Sequence, residues 1–175
     1  MILLKKLSMD IKVLIGIIVI LFVISGIYLY LVKPYDVDIV YNSIKFQSGN
    51  INIEESSSIK IKGKYVRGLF GNSDKFSGQI LVDDIGLNYS DNLLEFGNHN
   101  MAIQEFGPTT KGIFGLLYIT EKFESMHILI SESNKNFSFY YKDGWIISAP
   151  SENREDAVKI SNELFKKKGS NSRIE

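Results

Sequence analysis

The chain contains no cysteine. That excludes disulfides, a thiol nucleophile, iron–sulfur ligation and cysteine-bound zinc. Sortase-type transpeptidation and lipoprotein cleavage fall with them, since each needs a cysteine. Histidine is nearly as scarce, with only His99 and His127, and no third ligand is spaced to complete a metal site. Net charge is missing too: 20 Lys and Arg balance 20 Asp and Glu. Nucleic acid is therefore not an expected partner, because binding its backbone takes an excess of cations. The carboxylate neighbours Glu54-Glu55 and Asp83-Asp84 would point to opposite faces of a strand, which is not how two acids flank a substrate. Asp83-Asp84 reads better as a turn. Serines and lysines are plentiful, but none lies in a recognisable nucleophile motif. No catalytic, metal or cofactor site is expected.

One feature is present in full. VLIGIIVILFVISGIYLYLV, residues 13–32, carries no charge. At about 1.5 Å of rise per residue, roughly 20 residues cover the ~30 Å hydrocarbon layer of a bilayer. Only a helix lets so short an isolated segment satisfy its own backbone there. The run exceeds the usual h-region of a signal peptide, and no small-x-small cleavage site follows it, so an uncleaved anchor is expected. Lys5, Lys6 and Lys12 precede the span against Asp10, whereas Lys33 is followed by Asp36 and Asp38. Positive residues stay inside, which places residues 1–12 in the cytoplasm and the rest outside the cell membrane. Pro34 ends the helix.

After Pro34 the pattern alternates, the mark of a sheet with one wet face. Val37, Ile39 and Tyr41 share one side of a strand. Ile51 and Ile53 do the same, as do Ile59, Ile61 and Tyr65, and then Phe76, Ile80 and Val82. Met101 to Phe106, Ile113 to Glu121 and Ser125 to Glu132 follow. Turn residues lie between, among them Gly71-Asn72-Ser73-Asp74, Asn98-His99-Asn100 and Gly107-Pro108. FSFYYKDGWIIS reads as a hairpin around Asp143-Gly144. Both its faces are apolar, with Phe137, Phe139, Tyr141 and Ile146 on one and Tyr140, Trp145 and Ile147 on the other. A cover is needed, and the next element supplies it: an amphipathic helix over 152–168. Ser151 or Asn153 would cap it, Ala157, Val158, Ile160, Leu164 and Phe165 would face the sheet, and Gly169 would stop it. A disordered tail is expected over 170–175.

The expected fold is mainly β (α+β). A transmembrane helix precedes an extracytoplasmic domain over 33–169, an antiparallel meander barrel or sandwich of about eight strands with one C-terminal helix. Lipocalin-like and PH-like barrels share that order of elements, which carries no function. Three stretches, KFSGQILVDDIGL, GLLYITEKFESMHILI and DGWIISAPSENREDAVKISNEL, resemble those of small single-pass membrane proteins of Gram-positive bacteria. The resemblance spans Lys60 to Leu164, implies the anchor-plus-ectodomain layout and implies no activity.

Two surface features stand out. Lys60, Lys62 and Lys64, with Arg67 beyond them, would form a ridge on one strand face. It could meet anionic headgroups or wall polymers, or be an ordinary wet or edge strand guarded by lysine. Leu69 and Phe70 sit between glycines, and could dip into lipid, grip a partner or plug a barrel end. The expected function is a membrane-anchored binding or interaction domain, held in the bilayer by residues 13–32, with a protein or other cell-surface partner. The alternatives are a small-ligand carrier or enzyme with its site inside the barrel, and a pilin-like assembly subunit.

Overall fold

An uncharged stretch with no polar stripe has no preferred face to bury, and the first element shows the consequence. Helix α1 runs over Met9–Leu31, and Val32 N still donates to Tyr28 O at 3.0 Å before Pro34 ends the possibility of another turn. Every residue of its apolar stretch Ile11–Leu31 is exposed. Phe22 is 76% exposed. The protein thus carries one apolar helix of the length and composition of a membrane anchor or signal sequence. This is a computed structural model, which describes residues 9–97, 100–107, 109, 113–131, 144–170 and 173–174. The chain divides into two units, Met1–Pro34 and Tyr35–Glu175.

The second unit is built on one antiparallel sheet. Its strands are β1 (Tyr35–Gln47), β2 (Asn50–Val66), β3 (Asp74–Val82), β4 (Ile85–Asn88), β5 (Leu94–Phe96), β6 (Met101–Phe106), β7 (Phe114–Thr120), β8 (Met126–Ser131) and β9 (Trp145–Ala149). The order is β4-β3-β2-β1-β9-β8-β7-β6, with β5 paired to β3 beside β4. Two expectations are corrected. Among the described residues the sheet has nine strands rather than about eight, and it does not close into a barrel. The segments around Ile51 and Ser58–Val66 are one long strand, because β1 pairs with both. Strands β4 and β5, of four and three residues, are too short to show alternation. Asp143 of the expected hairpin turn, the Phe137–Tyr141 arm and His99 lie outside the described residues.

One face of the sheet encloses the larger core. Val37, Ile61, Phe76, Leu94, Leu117, Ile128 and Ile147, from seven strands, all contribute to it. Phe123, in a 3-10 turn between β7 and β8, shows how far the sheet curls. Its ring lies 5.0 Å from that of Phe76 on β3, and 5.7 Å from those of Tyr65 on β2 and Phe96 on β5. Four strand steps separate β8 from β3, roughly 19 Å in a flat sheet. Only strong coiling brings these rings together.

A facing glycine pair permits that coiling. Gly63 on β2 lies opposite Gly78 on β3, with the Phe76 ring over both. A Cβ on Gly63 would clash with Ser77 O and meet Gly78 Cα and the Phe76 ring at 2.7 Å. Gly63→Ala is expected to cost about 1–3 kcal/mol, since the nearest atoms are backbone and a locked ring. Urea unfolding followed through the single tryptophan, Trp145, measures it; an unchanged midpoint would mean that the strands can separate freely.

Helix α2 (Arg154–Lys168) covers part of the opposite face. Asn153 caps it, its side chain accepting from Asp156 N, and Gly169 ends it at φ +83°. Ala157, Leu164 and Phe165 bury against Ile44 and Phe46 of β1, Tyr118 of β7, Leu129 of β8 and Ile146 of β9. Ile146 is thus covered by the helix and Ile147 by the inner core, as the two-faced apolar pattern requires. Ser151, the other cap candidate, turns inward: it donates to Ser148 O at 2.6 Å and accepts from Ile44 N at 3.0 Å. Ile174, in the segment expected to be disordered, is buried in the same cluster and exchanges two hydrogen bonds with the Asn162 side chain.

Candidate functional site

The lysine ridge occupies the solvent side of β2, with Lys60, Lys62 and Lys64 all exposed. It is not an edge strand, since β1 and β3 flank it. The register sets Asp38 opposite Lys62 and Asp36 opposite Lys64. Opposite charges across a strand pair stabilise one another, and two of the three ammoniums therefore face a carboxylate. The ridge is a mixed-charge surface rather than a cationic strip. Arg67 is exposed just beyond it, in the loop between β2 and β3.

That loop carries the two apolar candidates. Asp74 organises it, accepting from Gly68 N at 2.7 Å and from the Tyr65 hydroxyl at 2.6 Å. Burial, then the carboxylate, raise the Tyr65 pKa well above its ordinary value. Leu69 is half-buried, with its carbonyl accepting from Asn72. Phe70 is 91% exposed at φ +56°, a conformation that L residues adopt at a cost. Phe70 therefore does not fold back into the core. The structure brings Arg67, Leu69 and Phe70 into one loop and leaves the lysines on the strand face.

A second cluster was not legible in the sequence. His127, Ser148 and Ser161 meet between β8, β9 and α2, all fully buried. Ser161 Oγ donates to Ala157 O at 2.9 Å and lies 2.8 Å from His127 Nδ1 and 2.7 Å from Ser148 Oγ. The set is satisfied when Nδ1 carries the proton and Ser161 Oγ accepts from it and from Ser148. Nε2 is buried with no partner. Burial pushes the imidazole pKa down to about 3. A serine on a histidine resembles a nucleophile and its base, but a substrate cannot reach it without lifting α2. Its role is to pin the helix to the sheet. The signals, in hindsight, are Ser161 one turn from Ala157 on the apolar stripe and Ser148 in a strand apolar on both faces.

The third feature is the seam where the sheet fails to close. In an antiparallel ladder a residue's N–H and C=O point the same way, and alternate residues point to opposite sides. Tyr89 N donates to Gly78 O at 2.7 Å, so the alternate residues Leu87 and Ile85 also turn toward β3, and Gly86 and Asn88 turn away. Met101 O accepts from Gly97 N at 3.2 Å, on the side away from β7, so Ile103 and Glu105 turn their backbone outward as well. Residues of both edges line a groove of about 240 Å³, among them Leu87, Asn88, Tyr89, Gln104, Glu105 and Phe106. Gln104, between inward-facing Ala102 and Phe106, is exposed because the seam is open beside it.

No family model, curated protein or solved structure matches this chain. Tyr89 is the group at the seam that stands out: it is only 6% exposed, yet its hydroxyl has no hydrogen-bond partner. Burial raises its pKa, so the hydroxyl keeps its proton and is available as a donor. Glu105 is the charged group in the lining. Among the described residues, no three His, Asp or Glu side chains converge to hold a metal ion.

Proposed function

We propose that this protein is a membrane-tethered binding domain, with α1 as an uncleaved anchor, the N-terminus cytoplasmic and the β domain outside the cell membrane. The observation that carries the reading is the apolar stretch Ile11–Leu31, exposed along its whole length. In water so much uncovered apolar surface is unfavourable; in a bilayer it is the stable arrangement. Lys5, Lys6 and Lys12, all ahead of the uncharged run that starts at Val13, favour the orientation. Binding is favoured over an internal carrier or enzyme because the inner face is filled by Tyr65, Phe76 and Phe123, each almost fully buried. The seam, Phe70 and the mixed-charge face of β2 are the surfaces on offer to a partner.

Protease treatment of intact cells expressing the full chain with a C-terminal tag tests this. The expected result is loss of the tag, with a fragment containing residues 1–32 retained in the membrane. Protection until the cells are lysed would place the domain inside. Release of a domain lacking residues 1–32 would make α1 a cleaved signal.

A further inference from the structure

We infer that the open seam between β4 and β6 is a receptor site for an extended polypeptide segment, which pairs with the free edge of β6 and carries a basic residue beside Glu105. This deepens the binding reading above by naming the site and the class of partner.

The first observation is backbone with no strand beside it. Gly86 and Asn88 on one wall, and Ile103 and Glu105 on the other, turn their N–H and C=O groups into the seam. Glu105 O accepts from the neighbouring Gln104 side chain at 3.0 Å, so a side chain does there what an adjacent strand would do. An extended peptide is the ligand whose donors and acceptors repeat at the spacing of a strand edge. The second observation is Tyr89, a residue of the same wall whose buried hydroxyl has no hydrogen-bond partner. A buried polar group is normally satisfied, and a carbonyl or polar side chain of the incoming strand would accept its proton. The third is chemistry along the groove. Leu87, Tyr89 and Phe106 offer an apolar inner side, and Glu105 an exposed carboxylate. A strand that alternates apolar and basic residues fits both.

Met101–Phe106 holds neither lysine nor proline, two of the residues that commonly stop a free strand from pairing, and Glu105 is its one charge. Ile103, 41% exposed, sits at its middle.

The test uses the purified full chain in nanodiscs and a seven-residue peptide of alternating lysine and valine. Saturable binding with Kd below about 1 mM is expected, with the Ile103 and Glu105 amides protected from hydrogen exchange. Ile103→Pro removes an N–H that faces the seam and not β7, so the fold is expected to persist while binding falls at least about tenfold. Tyr89→Phe is expected to weaken binding severalfold. N-methylating the peptide's pairing amides should abolish binding. No binding, equal binding of the methylated peptide, or binding indifferent to Ile103→Pro would each overturn the proposal. These measurements need no cell, so their failure leaves the protease result standing, and a failed protease result leaves them standing.

Discussion

Phe123→Ala is expected to destabilise the β domain by about 3–5 kcal/mol, the range for deleting a buried aromatic side chain from a core. The ring stands edge-on to those of Tyr65, Phe76 and Phe96 at 5.0–5.7 Å, and each such pair adds to simple burial. The effect should lie near the top of the range because the site cannot collapse. The three partners come from β2, β3 and β5, on the far side of the sheet from β7 and β8, so no single strand can shift to refill the space. The backbone offers no compensation: Phe123 lies at φ +63°, and alanine is no more comfortable there. Against a typical total stability of about 5–15 kcal/mol this approaches unfolding at body temperature. Thermal unfolding should show a fall of about 10 °C or more. Phe123→Leu should recover much of it. A fall of only a degree or two for the alanine variant would mean that the rings do not hold the curl.

Acid is expected to loosen the same domain through His127. Its folded pKa is depressed to about 3 by burial, against about 6.5 in the unfolded chain. The unfolded state therefore binds a proton first as pH falls. The stability linked to the neutral imidazole is fully present above pH 6.5 and is lost progressively toward pH 3. The slope approaches about 1.4 kcal/mol per pH unit, or roughly 2 kcal/mol between pH 6.5 and 5. The groups around the ring are Ser148, Ser161, Tyr118 and Phe165, and Lys168 donates to the Tyr118 hydroxyl at 3.1 Å. None of these is a carboxylate that would favour the imidazolium. His127→Gln, which does not titrate, removes this component. The stability difference between wild type and variant should shrink by about 2 kcal/mol from pH 7 to pH 5. A difference that stays constant over that interval would show that the histidine titrates alike in both states.

Legibility differed from element to element. Ser58–Val66 was plain because Ile59, Ile61 and Tyr65 alternate with three lysines, and they do face the core. Helix α2 was plain because its cap, stripe and stop agree. Strands β4 and β5 were invisible: three or four residues cannot establish a period, and β3 alone defines them. Phe70 and Phe123 look alike in sequence, each a phenylalanine near a turn. One is 91% exposed and the other 1%, because only the second lies beneath the curl of the sheet.

The sequence by itself determined the apolar helix, the alternating strands that follow it, the C-terminal helix and the absence of thiol chemistry. Each depends on residues near one another along the chain, through hydrophobic period, capping or composition. Tertiary structure alone decided that the sheet stays open, that Asp36 and Asp38 answer the lysine ridge, and that the Tyr89 hydroxyl is buried beside two free strand edges. Those facts depend on which strands become neighbours and how tightly the sheet coils. Pairings between residues tens of positions apart leave no period in the chain, and the candidate site is made of such pairings and of the place where one is missing.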